Sequence, residues 1–398
     1  MRISNDSLRL IFLDALEVAQ RRVADTQRQV STGRRINSPS DDPVGAARVA
    51  QLDASLARLD QYRANGVSAR NHLGLEEEAL AEAIDNLQKV RELAVQANNA
   101  PLSNADRAVV AQELRERRAA LLSLANTTDA DGRFLFAGFS EGAQPFTVGA
   151  GGAVVYNGDQ GQRTLQVSDT RFIAINDSGA QIFQRIPTGN GTFTLAAAAG
   201  NTGTGVLGAG TVVNPAAYVR DTYAINFITP TTYEVRDSGG ALVVAGAYAP
   251  GQAIAFRGIE VGLAGQPAGG DAFTAAPSAS RDVFATLDSL IATLQQSAGD
   301  GASRAKMHGK LGQLLLDIDQ ATGHVIESRA EIGSRVRALD EETSLSDGFS
   351  LQLAETLSDI RDLDYAAALS RLSQQLFGLE AAQQSFARTQ GLSLFRFL

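Results

Sequence analysis

Three histidines, His72, His308 and His324, are the only imidazoles available to a metal site or a general base. Each falls in a stretch whose apolar spacing predicts helix, and none is joined by a second histidine at ligand spacing. The HExxH motif does not occur. Gly203, Gly205 and Gly208 match the GxGxxG spacing of a dinucleotide loop, and Asp221 lies near the offset of a ribose-binding acid. That loop must open a helix whose N-terminus holds the pyrophosphate. Here "AGTVVNP" follows, with Gly210 and Pro215 where the helix would run. Asp129, Asp131 and Gly132 resemble part of a calcium loop, without its third ligand before the glycine or its closing glutamate. The runs Glu76–Glu78 and Glu341–Glu342 belong to charged helix faces. With no cysteine in the chain, thiolate zinc sites, iron–sulfur clusters, disulfides and Cys nucleophiles are excluded. The residue types therefore point away from an enzyme, with no cofactor and no metal expected.

Charge and hydropathy narrow the partners. The 398 residues carry a net charge of −9, and the arginines are scattered among acids. A phosphate backbone needs concentrated cationic surface, so no nucleic-acid partner is expected. No apolar run approaches the roughly 18 residues of a membrane span, so no membrane insertion is expected. "LIFL", Leu10 to Leu13, is bounded by Arg9 and Asp14. It falls short of the roughly 7–15 apolar residues of a secretory signal, so any route out of the cell would be a different one.

The elements themselves carry more information. Residues 1 to about 135 are rich in Ala, Leu, Arg, Glu and Gln; about 140–280 hold most of the glycine and few charges; about 281–398 return to the helical composition. Phe12, Leu16, Ala19, Val23, Thr26, Val30 and Gly33 are spaced 4, 3, 4, 3, 4, 3, as in a coiled-coil seam. Leu369, Leu372, Leu376, Leu379, Gln383, Phe386 and Gln390 form a second seam. Ile318, Thr322, Val325, Arg329, Ile332, Val336 and Leu339 form a third. The polar members make these seams weak alone, so the terminal helices should be largely disordered in a free monomer and order on binding.

Between the first seam and the next helix stands "GRRINSPSDDP". Gly33 suits a helix C-terminus. Asp41 or Asp42 can cap a new helix, and Pro43 fits its first position. With Pro39, these residues predict a corner joining a short helix to a long one over about Val44 to Asn98. A matching break is expected near Asp359 to Tyr365, where Leu353, Leu357 and Ile360 are in phase and Leu369 starts another phase.

The middle reads as strands. "AVVYNGDQGQRTLQV" has a turn at Asn157–Gly161 between alternating runs, "YEVRDSGGALVVAG" turns at Asp237–Gly240, and "AIAFRGIEVGL" alternates further. Ala196 to Gly210 predicts an exposed low-complexity loop. The fold class expected is mainly α with an inserted β domain: a long antiparallel helical bundle or coiled coil formed by both chain ends, and a β-rich middle. The domains expected are 1–42 with 360–398, 43–139 with 281–359, and 140–280.

"QVSTGRRINSPSDDPVGAARVAQL" and "LSDIRDLDYAAALSRLSQQLFGLEAAQQSFARTQGLSLFRFL" resemble the two terminal signatures of the bacterial flagellin family. Four details resemble the subgroup at the hook–filament junction more than filament flagellin. They are the start "MRIS", the prolines bracketing Ser38 to Pro43, "DGRFLFAGF" at Asp131 to Phe139, and the ending "SLFRFL". In the middle, "FRGIEVGLAGQPAGGDAFTAAPS" is similar to hook-associated proteins.

The resemblance implies inner and outer helical layers with a projecting β domain, and the corner at Gly33 to Asp42 passing between the layers. It implies a structural adaptor joining hook to filament. Such a protein is extracellular and passes through the flagellar type III apparatus without a cleaved signal peptide. Its implied partners are itself in a ring, another hook-associated protein on the hook side, flagellin or a further junction protein on the filament side, and a cytoplasmic export chaperone. The implied subunit-interface residues are Leu16, Val23, Val30, Leu369, Leu372, Leu376, Leu379 and Phe386, with Leu376 and Phe386 also offered to the chaperone. The alternatives are a filament flagellin or a binding module displayed on a flagellar rod.

Overall fold

A computed structural model describes residues 5–391 apart from 100, 101 and 298. The chain divides into two compact units, Met1–Ala64 with Glu341–Leu398, and Asn65–Asp340. Four long helices serve the first unit: α1 (Asn5–Thr32), the start of α2 (Pro43–Asn99), and, on the return, the end of α6 (Gly301–Arg361) followed by α7 (Tyr365–Gly391). Between α2 and α6 the chain adds α3 (Asn104–Ala125), a short α4 (Gly179–Phe183) and α5 (Val283–Leu294).

The second unit is built on a helical core. Leu73, Leu80 and Leu87 of α2 recur every seven residues and are fully buried, as are Leu114 and Leu121 of α3 and Leu287 and Leu290 of α5. From α6, the predicted seam residues Ile318, Val325, Ile332 and Leu339 enter this core, while Arg329 sits at its rim. There Arg329 reaches Glu77 at 2.6 Å, Arg91 reaches Asp319 at 2.6 Å, and Arg70 pairs with Asp340. Arg70, Glu77 and Arg91 lie on one heptad line of α2. Each exposed pair is worth about 0–1 kcal/mol, but the line fixes the antiparallel register of α2 against α6. Helix ends are satisfied locally. Ser103 and Asp106 form a capping box at α3, and the Asp282 side chain accepts the Ala285 N–H at 2.6 Å at the start of α5.

The strands divide between two cores. β1 (Phe146–Val148) pairs with β2 (Val154–Tyr156), and β3 (Thr164–Gln166) with β4 (Phe172–Ala174). Phe146, Val167, Ile173 and Ile175 from this region pack into the helical core, with Phe146 edge-on to Phe183 at 5.7 Å. The turn predicted at Asn157–Gly161 is therefore not a hairpin, because the runs it separates pair outward with other strands. Asp159 organises that loop instead, accepting the N–H groups of Phe139 and Gly161 at 2.9 and 2.7 Å.

A second core is formed within residues 193–275. Its main sheet contains β6 (Phe193–Ala197), β9 (Tyr223–Thr229), β10 (Thr232–Arg236), β11 (Leu242–Ala247) and β15 (Ala272–Pro277). Their order is β11-β10-β9-β15-β6, antiparallel throughout. The Asp237–Gly240 turn joins β10 to β11 as predicted. β5 (Ile186–Pro187) pairs with β16 (Ser280–Arg281). β7 (Val206–Leu207) pairs with β14 (Leu263–Ala264), while β8 (Thr211–Val212), β12 (Ile254–Phe256) and β13 (Ile259–Val261) make a small sheet. Part of the predicted loop 196–210 is thus strand. Leu207, although set among Gly and Ala, is buried in this core. The GxGxxG spacing runs into β7, not into a helix. The apolar residues of 140–280 consequently do not share one core.

Candidate assembly interface

Within the first unit, α1 and α7 run antiparallel as a pair. Phe12 meets Phe386 with ring centroids 6.4 Å apart. Along α1 the half-buried or buried positions are Phe12, Leu16, Ala19, Val23, Thr26 and Val30, together with Val18 and Gln29. The predicted row thus faces inward. Thr26 is accommodated because its hydroxyl donates to the Arg22 carbonyl at 2.9 Å.

Along α7 the inward row is Ala368, Leu372, Gln375, Leu379, Ala382 and Phe386. Leu372, Leu379 and Phe386 were expected there; Leu369 and Leu376 were expected in the same line but face outward, 51% and 48% exposed. Both rows satisfy the 4,3 spacing around the shared Leu372, Leu379 and Phe386. Small Ala368 and Ala382 let the α1 backbone come close, so α1 takes the Ala/Gln side and the leucines are left outside. Phe377, 75% exposed, adjoins them, and Leu10 and Ile11 are also exposed on α1. The side chain of Gln390, the "MRIS" start and the "SLFRFL" ending lie outside the described residues.

The corner is built from main chain and carboxylates. Gly33, just after α1, has φ +69° and donates its N–H to the Gln29 carbonyl at 2.9 Å. A Cβ there would meet the Tyr365 hydroxyl at 2.8 Å. Asp41 folds the Ser38–Asp41 turn by accepting the N–H groups of Asn37 and Ser38 at 3.0 and 2.8 Å. Those backbone donors, Ser38 first, hold its pKa below the ordinary carboxylate value. Asp42 caps α2, accepting the Gly45 N–H at 2.9 Å, and that bond lowers its pKa, with Arg35 adding to the effect. Pro43 occupies the first helical position and Pro39 the exposed outer side of the turn.

This corner is stitched to the break between α6 and α7. The Arg35 N–H donates to the Arg361 carbonyl at 2.7 Å and the Leu363 N–H to the Gly33 carbonyl at 2.9 Å. The Arg35 guanidinium also donates twice to the Ile360 carbonyl, at 2.6 and 3.1 Å, satisfying an α6 carbonyl that has no helical donor. Sequence reading located both breaks but missed Arg35 as their joint. Its only signal was a cation two positions after a helix-ending glycine. Ile36, buried under this joint beside Gly45, was missed for the same reason: an isolated apolar residue in a polar turn has no periodicity.

Chemically, the arrangement offers surfaces for helix packing. Among the described residues no group of three or more His, Cys, Asp or Glu could hold a metal, and no helix is long and apolar enough to cross a membrane.

Residues 3–141 match the model of the bacterial flagellin N-terminal helical region. The crystal structure of Xanthomonas campestris FlgL is 39% identical, covering 77% of this chain and 99% of that one, with a TM-score of 0.72. The flagellar junction protein FlgL from Legionella pneumophila is 31% identical, over 79% of this chain and 100% of that one, with a TM-score of 0.73. The flagellar hook-associated protein 3 of Salmonella typhimurium is 26% identical over 100% of this chain and 99% of its own length. The flagellin model thus reaches only the N-terminal part, whereas hook-associated protein 3 aligns from end to end.

Proposed function

The chain belongs to the flagellar hook-associated protein 3 (FlgL) family, and from that membership we infer that it is the structural adaptor joining hook to filament in a bacterial flagellum. The end-to-end likeness to hook-associated protein 3 carries this reading over filament flagellin. The protein works by packing, with no catalytic step.

Subunits leave the cell through the flagellar export apparatus without a cleaved signal and assemble into a ring. Another hook-associated protein lies on the hook side, and flagellin or a further junction protein on the filament side. The domain limits that serve this role are 1–42 with 360–398 for the inner helices, 43–139 with 281–359 for the outer bundle, and 140–280 for the projecting part. The paired corners at Gly33–Pro43 and Arg361–Tyr365 join the first two.

Leu16, Val23, Val30, Leu372, Leu379 and Phe386 tie α1 to α7, and Leu369 and Leu376 face neighbouring subunits. Their outward position supports this division of labour. Before export, while α1 is not yet packed on α7, outward Leu376 and the uncovered Phe386 suit an apolar groove on a cytoplasmic chaperone.

Immunogold labelling of isolated flagella, with antibody against residues 140–280, tests the adaptor role. A single band at the hook–filament boundary is expected. Label along the whole filament would make the protein a flagellin.

A further inference from the structure

Glu76, on the inner face of α2, is 1% exposed. Its Oε1 accepts the backbone N–H of Asp177 at 3.0 Å; its Oε2 is buried and meets no hydrogen-bond partner. Asp177 lies in the segment between β4 and α4, itself 3% exposed.

Every cation near this site is committed to another acid. Arg335 of α6 gives both terminal nitrogens to the Asp177 carboxylate, at 2.8 and 2.9 Å, and reaches Glu331 on its own helix at 3.7 Å. Arg163, just before β3, pairs with Glu141, which also lies 3.7 Å from Arg133. Next to Glu76 on α2, Glu77 is turned to Arg329. Apart from that outer pair, four carboxylates (Glu76, Glu141, Asp177 and Glu331) share three guanidiniums (Arg133, Arg163 and Arg335). The count balances when one acid holds a proton, and Glu76 is the acid with no guanidinium of its own.

We propose that Glu76 is a proton latch: while protonated it clamps the Asp177 segment between α2 and α6, and loss of the proton as pH rises frees that segment. A charged Oε2 in its place would be a buried charge with no counter-ion or donor. The segment is worth latching because it is tied to the rest of its loop. Asn176 accepts the Arg163 N–H at 2.7 Å, Gln162 donates to Asp177 at 2.7 Å, and the Ser178 hydroxyl donates to the Asp159 carbonyl at 2.9 Å.

Burial first, then the Asp177 charge, pushes the Glu76 pKa up to about 8. An acid shifted this way contributes stability that is complete below its unfolded value of 4.5 and is lost as pH rises through about 8.

Hydrogen exchange of the full-length protein, followed over peptides spanning 157–178 and corrected for the intrinsic pH dependence of amide exchange, tests the latch. Protection should fall by up to about tenfold per pH unit on approach to about 8 and level off above it. Glu76→Gln, a neutral isostere, should keep its protection at all these values and exceed the wild type at alkaline pH. An equal pH slope in wild type and E76Q would overturn the proposal. A readout that needs no variant is the infrared carbonyl stretch of a protonated carboxylic acid. It should be present at neutral pH and vanish as pH rises through about 8; its absence at neutral pH would overturn the proposal as well.

Discussion

At the scale of single residues, the corner at Gly33 makes the sharpest demands. Its left-handed backbone and its closeness to the Tyr365 hydroxyl both exclude a side chain. Gly33→Ala should therefore destabilise the first unit by about 1–2 kcal/mol, read from the unfolding midpoint of that unit in urea. A change within error would mean that the corner is soft. Asp41 and Asp42 set its pH range. Both hold pKa values below 3.8, so their contribution is present above that value and is lost as pH falls through the lowered values. Tyrosine fluorescence near Tyr365 should report an acid loosening that Asp42→Asn shifts to higher pH. Gly33, Asp41, Asp42 and Pro43 were legible in the sequence because each is the residue type its local geometry requires. Arg35 was not, since its partner is a carbonyl 325 residues away.

At the scale of elements, α1 and α7 differ from the helices of the second unit in what they bury. Among the described residues of α1 only Thr26 is buried, and of α7 only Ala368, whereas α2 alone places Leu73, Leu80, Leu87 and Val90 at 1% exposure or less. Short of partners, a helix with so little burial is marginal. Limited proteolysis of the purified monomer should cut within α1 and α7 well before the core of Asn65–Asp340. Equal resistance at both ends would contradict the expectation that these helices order on assembly. Leu73→Ala, by contrast, should cost the second unit about 2–5 kcal/mol in denaturant unfolding. Leu376→Ser and Phe386→Ser should weaken chaperone binding in calorimetry, and unchanged affinity would remove the chaperone from this surface.

The helical elements and their α1 row were readable because period and composition agree over many turns. On α7 two rows shared the same spacing, and only the close approach of α1 on the Ala368 side decides between them. The strands at 154–156 and 164–166 misled for a related reason. Alternation and a turn signal show that two runs are strands, but not whether they pair with each other.

At the scale of the whole molecule, a hook–filament junction protein carries its function in which surfaces are covered and by what. Membership of the hook-associated protein 3 family rests on its full length, while the middle, divided between two cores, could not be partitioned from composition alone. Both halves of 140–280 are apolar strands, and only their three-dimensional neighbours separate them. We infer that the outward row of α7 is covered on assembly. Because the chain has no cysteine, a single Leu376→Cys substitution gives a clean probe: its maleimide labelling rate in the purified monomer and in isolated flagella. Labelling should be rapid in the monomer and at least about tenfold slower in assembled flagella, as a covered packing site requires. Equal rates in the two states would contradict it, leaving Leu376 exposed in the assembled flagellum.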